Sequence, residues 1–261
     1  MLPYTTYLID LDGVIYRGNE LLPGAQEFIA WLDANQKKYL FLTNNSFASE
    51  TQVLKKLSDL GISSTTSHVL GAGQAAVQNI AHRFPSATVY LVGEEPMRNM
   101  LLEHHLKVAA LDDSHADVVL VGLDRTFDYK KLTCAVQAIM AGATFIAVNR
   151  DPRLPIAGGL IPGCGAMVAA IEASSGIPPE VVGKPEPTLL QEAMRLLSST
   201  PDETVMIGDT LSVDILAGKN AGTHTIFVLS GSNSLADEEK FQTKPDYIYQ
   251  DVAALLKALQ G

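Results

Sequence analysis

Short apolar runs alternate with amphipathic stretches along the whole chain. Tyr7-Leu8-Ile9 predicts a strand over 6–10. Pro23-Gly24 opens a helix running to about Asn35, with Phe28, Ile29 and Leu32 on one stripe. A strand follows at 39–43, then a helix from Ser49-Glu50 through Leu60 that Gly61 ends as a C-cap. Val69-Leu70 reads as a short strand before a helix from about Gly73. Residues 89–92, 118–121 and 145–148 are strands with helical patterns between them, and this stretch ends at Pro178-Pro179. A lysine turn, a helix near 187–198, a strand at 204–208, a helix near 211–221 and a strand at 225–228 come next. A short strand at 246–249 and a helix at 251–259 close the series. Such alternation predicts an α/β protein with mostly parallel sheets. The expected architecture is a Rossmann-like, doubly wound core formed by 1–80 and 179–261, with 81–178 inserted as a second α/β domain.

Composition narrows the classes. In 261 residues, 47% are hydrophobic and 18% charged, enough apolar mass for real cores. No apolar run approaches the roughly 20 residues that span a bilayer, so no membrane partner is expected. Met1-Leu2-Pro3-Tyr4 lacks a basic region followed by an apolar stretch, so the expectation is a cytoplasmic protein without a secretory signal. Cys134 and Cys164 fit no metal spacing and read as buried thiols. A net charge of −10 argues against a nucleic-acid surface. It leaves room for a small phosphorylated substrate, because a metal and one lysine can reverse the local field.

The chemistry gathers at strand ends. Asp10-Leu11-Asp12-Gly13 follows the first apolar run, and carboxylates spaced i and i+2 start on one side of a strand. Two like charges that close repel unless a cation or a proton intervenes. The pair is therefore a candidate for a metal site, for nucleophile plus acid/base chemistry, or for both. A second strand ends in Thr43-Asn44-Asn45. A third ends in Gly208-Asp209, with Asp214 one helical turn on. Val182-Gly183-Lys184-Pro185 places a lysine in a turn between the second and third strand ends.

These four segments together resemble the motifs of the haloacid dehalogenase superfamily of phosphohydrolases. The phrases Val121-Gly122-Leu123-Asp124, Phe145-Ile146-Ala147-Val148-Asn149 and Gly183-Lys184-Pro185 are similar to its NagD-like branch, whose C2-type cap is inserted between the second and third motifs. The resemblance implies a Mg²⁺-dependent phosphate monoester hydrolase working through an aspartyl-phosphate. Asp10 would be the nucleophile, and Asp12 the general acid and then the base. Asp10, the Asp12 backbone carbonyl and Asp209 would hold Mg²⁺, with Asp214 supporting it directly or through water. Thr43 and Lys184 would hold phosphate oxygens, helped by Asn44 and backbone amides near Gly13. Haloacid dehalogenation fits poorly, since it needs neither the metal nor Asp12. Phosphoryl transfer to a sugar remains open, as does a homodimer through the cap. A non-catalytic scaffold is disfavoured by so costly a cluster of charges.

Other patterns compete. Gly71-Ala72-Gly73-Gln74-Ala75-Ala76 matches a dinucleotide fingerprint, with Glu94 at a suitable distance downstream. It explains neither the carboxylates nor Lys184, and its glycines read better as letting a loop pass near the active-site face. Gly163-Cys164-Gly165 reads as close strand–helix packing rather than an anion site. His104-His105, Asp112-Asp113 and His115 read as a solvated surface, and Met97 and Met100 as packing. Ser230–Glu239 reads as a surface loop. Within the insertion, Asp124, Arg125 and Asn149 stand at strand ends and are candidates for reading the leaving group, with an interdomain salt bridge the equal alternative for Arg125.

Overall fold

A computed structural model describes residues 4–44, 50–62, 68–156 and 158–261. Asn45 and the expected helix start at Ser49 lie outside the described residues. In chain order the first elements are β1 (Thr6–Asp10), β2 (Tyr16–Arg17), β3 (Glu20–Leu21), α1 (Ala25–Ala34), β4 (Lys38–Thr43), α2 (Glu50–Asp59), β5 (Val69–Gly71) and α3 (Ala72–Arg83). Next are β6 (Thr88–Val92), α4 (Glu95–Glu103), β7 (Lys107–Val108), β8 (Val118–Val121), α5 (Tyr129–Met140), β9 (Thr144–Ala147), β10 (Arg153–Ile156), β11 (Gly159–Pro162), α6 (Cys164–Ser175) and β12 (Glu180–Val181). The chain ends with α7 (Thr188–Leu197), β13 (Thr204–Gly208), α8 (Leu216–Asn220), β14 (His224–Val228), α9 (Asp237–Phe241), β15 (Tyr247–Tyr249) and α10 (Val252–Gln260).

The chain divides into two compact units. One holds Met1–Thr43, Glu50–Leu70 and Lys184–Gly261, and the other the remaining residues, including Gly71–Gly183. The first unit is built on a six-stranded sheet ordered β15-β14-β13-β1-β4-β5. β1 pairs in parallel with both β4 and β13, and β13–β14 and β14–β15 are parallel as well. Strands covered on both faces need near-continuous apolar sequence. Tyr7-Leu8-Ile9, Tyr39–Leu42 and Val205–Ile207 supply it, and all are buried. Phe28, Ile29 and Leu32 of α1 are buried as their spacing predicts, and α1 packs on α10. From β1 the chain moves outward to β4 and β5, and later returns to fill the other flank with β13, β14 and β15. The strand order therefore reverses at β1, and ligands of open α/β sheets bind at the carboxyl ends of strands beside such a reversal.

The second unit has its own parallel sheet, ordered β12-β9-β8-β6-β7. β10 and β11 form an antiparallel hairpin beside it in sequence. Two expectations change here. The Gly71-to-Ala76 segment is no loop, because Gly71 ends β5 and α3 starts at Ala72, with Gly73 buried and packed towards Met97 of α4. Moreover β5 and β6 belong to different sheets, so this segment lacks the single-sheet βαβ context of a dinucleotide site. The helix expected at 211–221 begins as a π-helical turn, Leu211–Ile215, before α8.

Candidate active site

Asp10 is the last residue of β1, Thr43 the last of β4, and Asp209 directly follows β13. Because these neighbouring strands are parallel, the three residues share one edge of the sheet. Lys184 opens the returning segment of the same unit. Its Nζ donates to Asp10 Oδ1 at 2.5 Å and to Asp214 Oδ1 at 2.7 Å. The lysine and Asp214 side chains are only 2% and 3% exposed, and that of Asp10 is 15% exposed. Asp10, Asp209 and Asp214 each offer a carboxylate oxygen within 4.8 Å of the others. Among the described residues this is the one group of three or more His, Cys, Asp or Glu close enough to share an ion. An all-oxygen donor set of this kind fits a hard divalent cation such as Mg²⁺.

Three carboxylates and one ammonium leave a surplus of negative charge in a buried site. Burial pushes the Asp10 carboxyl up to about 7, with Lys184 opposing and Asp214 and Asp209 adding to the rise. Burial also raises Asp214, again against Lys184. For Lys184, burial works against the charge, but Asp10 and Asp214 more than offset it and hold its pKa above the usual lysine range. Asp12 lies in the turn after β1 and makes a backbone bridge with Tyr16. Desolvation raises its carboxyl, opposed by the nearby Lys56 of α2. Lys56 sits 3.6 Å from the centroid of the Tyr16 ring.

The surroundings of Asp209 were not legible in the sequence. Gly13 has φ +83°, a conformation costly for other residues. A Cβ there, or on Gly231, would overlap the Asp209 carboxylate. The segment after β14 closes around the site. Ser232 N–H donates to Asp209 Oδ2 at 2.6 Å, and Asn233 N–H to the Asp209 carbonyl at 3.2 Å. Asn233 Oδ1 accepts from Leu211 N–H at 2.8 Å. Ser230 Oγ donates to Gly13 O at 2.7 Å, and Arg17 donates to Ser230 O. The start of the Ser230–Glu239 segment, expected as plain surface loop, is thus part of the carboxylate cradle. A glycine flanked by serines just past a strand's carboxyl end was the available signal. The Gly13 N–H, expected to help hold phosphate, donates to Tyr16 O at 2.8 Å.

Asn44 falls with the second unit, where its carbonyl accepts from Asn149 Nδ2 at 2.8 Å. Asp124 is 1% exposed and accepts from Lys131 Nζ at 2.6 Å and from Thr126. Arg125 forms a two-pronged pair with Glu94, at 2.5 and 2.9 Å. Cys164 and Gly165 do open a helix in close contact with a neighbouring segment, since a Cβ on Gly165 would overlap the Arg150 carbonyl. His104 and His105 lie just past the end of α4, exposed, rather than on its face.

Residues 7–107 match the family model described as haloacid dehalogenase-like hydrolase, and residues 181–255 match a HAD-hydrolase-like model. A protein described as acid sugar phosphatase from Staphylococcus epidermidis is 35% identical over 98% of both chains. Among solved structures, a mutant of the thermostable p-nitrophenylphosphatase from Bacillus stearothermophilus is 38% identical. It superposes with a TM-score of 0.89 over 97% of this chain and 98% of that one. NagD from E. coli K-12 is 32% identical, with a TM-score of 0.88 over 97% and 98%. The chain therefore belongs to the haloacid dehalogenase-like hydrolases, and within them it is a NagD-like phosphatase. Among the described residues, no helix is long and apolar enough to cross a membrane.

Proposed function

We propose that this phosphatase hydrolyses monoesters of small phosphorylated metabolites with Mg²⁺, through an aspartyl-phosphate on Asp10. The observation that carries the reading is the buried lysine bridging Asp10 and Asp214 beside Asp209. Asp10, the Asp12 backbone carbonyl and Asp209 would hold the metal, with Asp214 binding it directly or through water. When bound, the cation would offset the repulsion between a carboxylate and a phosphate dianion.

The remaining work belongs to the chain's own groups. An Asp10 carboxylate oxygen attacks phosphorus, forming the O–P bond as the ester O–P bond breaks. Asp12 gives its proton to the leaving alkoxide and then takes one from the water that attacks the aspartyl-phosphate. That second step returns Asp10 and releases inorganic phosphate. A raised Asp12 pKa suits a group that must start protonated. Lys184 and Thr43, assisted by Asn44, hold the phosphate oxygens. The inserted residues, about 81–178, would act as the cap that confers selectivity. The acid sugar phosphatase relatives favour a sugar phosphate as substrate.

Turnover of p-nitrophenyl phosphate before and after chelation tests the proposal. EDTA should abolish activity and Mg²⁺ should restore it. Full activity after exhaustive chelation contradicts the metal assignment.

A further inference from the structure

The sheet of the second unit has a reversal of its own. From β6 the chain fills one flank with β7, then crosses to β8 on the other. The crevice between the carboxyl ends of β6 and β8 is therefore the place where a parallel sheet receives a ligand. A cavity of about 680 Å³ lies there, within the roughly 300–1,000 Å³ of small-molecule sites. It belongs wholly to the unit that lacks Asp10, Lys184 and Asp209.

The lining restricts the ligand. Six charged side chains meet the cavity: Glu94, Glu95, Arg98, Asp124, Arg125 and Lys131. Their charges cancel, and two of the three pairs are hydrogen-bonded, while Arg98 stands 4.0 Å from Glu95. Arg125 grips Glu94 with two N–H groups, and Lys131 donates both to Asp124 and, at 2.7 Å, to Thr126 Oγ1. An anion binding Arg125 or Lys131 would have to displace Glu94 or Asp124 from its cation, and one binding Arg98 would meet Glu95 4.0 Å away. A cation would meet carboxylates already neutralised. A neutral hydroxyl group avoids both costs, since it can donate to a carboxylate and accept from the guanidinium or ammonium beside it. Leu91, Val108 and Leu111 add apolar wall, and Leu111 is 59% exposed. Tyr90 Oη donates to the Leu111 carbonyl at 3.2 Å and ties that wall to β6. Such a wall suits the C–H face of a sugar or the face of a base. The Asp124–Lys131 pair is a further pointer. Ions withdrawn from water are a weak source of stability compared with apolar packing, and a strand end beside a cavity is where their hydrogen-bonding capacity can serve a ligand.

We propose that this crevice is a second binding site, for an uncharged polyhydroxylated small molecule of the size of a monosaccharide or a nucleoside. The inference goes beyond the phosphatase chemistry and does not depend on it.

Amide NMR titration of the full-length protein tests it, with D-glucose, D-ribose and adenosine as probes. None carries a phosphate, so none is a substrate. At least one should saturate below tens of millimolar, moving the amides of Gly93, Ala109 and Thr126 while leaving those of Asp209 and Gly231 in place. Saturation by adenosine alone identifies a nucleoside site, and by a sugar alone a monosaccharide site. Ala109→Trp should fill the cavity and weaken binding at least about tenfold, with p-nitrophenyl phosphate turnover unchanged. Val108→Trp, at the end of β7, should do the same if Ala109→Trp disturbs the fold. The proposal is overturned if no probe saturates, if binding survives in both filled variants, or if inorganic phosphate moves those amides more strongly than every neutral probe. Because the readout is binding, its failure is separate from any failure of the catalytic reading.

Discussion

Gly231 holds backbone where no side chain fits, against the Asp209 carboxylate. Gly231→Ala should therefore move either the carboxylate or the amide of Ser232 that donates to it. Groups that orient a metal ligand typically contribute about 10–100-fold in metal affinity. Calorimetric titration with Mg²⁺ should show a loss of that order, and unchanged affinity contradicts the cradle. Asp12→Asn keeps the backbone carbonyl and so should leave metal affinity nearly intact while removing the proton donor. Alkyl esters, with poor leaving groups, should lose more than aryl esters in single-turnover phosphorylation. Equal losses remove Asp12 from the acid role. Asp10, Thr43 and Asp209 were legible because each ends an apolar run, and the run itself reports a buried parallel strand. Gly231 and Ser232 were not, because their contact with Asp209 is made across the sheet and a Ser-rich stretch looks the same whether it faces solvent or a carboxylate.

At the scale of elements, the register of the sheet edge is held by charge as well as by ladders. Asp246, just before β15, accepts from Thr225 N–H and Oγ1 at 2.8 Å each and from Lys219 Nζ at 2.6 Å. Desolvation acts to raise its pKa, but these donors win and hold it below the usual 3.8. A depressed carboxyl contributes stability above its unfolded pKa and loses it as pH falls through the folded one. Asp246→Asn should cost about 1 kcal/mol at neutral pH, after allowance for solvent screening at this pair, whose side chains are 37% and 34% exposed. Urea denaturation should show the gap closing below pH 3.8, and a gap constant with pH contradicts the account. The long strands and amphipathic helices were readable from period alone. The β2–β3 and β10–β11 hairpins and the two-residue strands β7 and β12 were not, since so few residues carry no period and their pairing is set by the neighbouring strand. The π-helical turn at 211–215 was equally hidden, because it differs from an α-helix only in which carbonyl each amide reaches.

At the scale of the molecule, two parallel sheets each reverse their strand order, and each reversal gathers charged groups at its carboxyl edge. The alternation of strands and helices made both sheets legible. That α3 groups with the second unit was not, because a close approach such as that of Gly73 to Met97 leaves no periodic signal. A chain of net charge −10 that gathers three carboxylates, two of them on one lysine, should gain from a bound cation. At about 100 times its dissociation constant, Mg²⁺ should stabilise the protein by about 2.7 kcal/mol. Thermal unfolding should show that gain in the native protein and lose it in Asp209→Asn. A gain that persists in the variant puts the metal elsewhere.

The central claim is that Asp10 carries the phosphoryl group, and trapping that group tests it most directly. The protein is mixed rapidly with Mg²⁺ and excess p-nitrophenyl phosphate, quenched in acid, and its peptides are weighed. The account predicts a single phosphoryl group on the peptide containing Asp10, sensitive to hydroxylamine, and none in Asp10→Asn, which should lose essentially all turnover. A phosphoryl group on another residue, or an Asp10→Asn rate within about tenfold of the native one, roughly 1.4 kcal/mol of barrier, would contradict it.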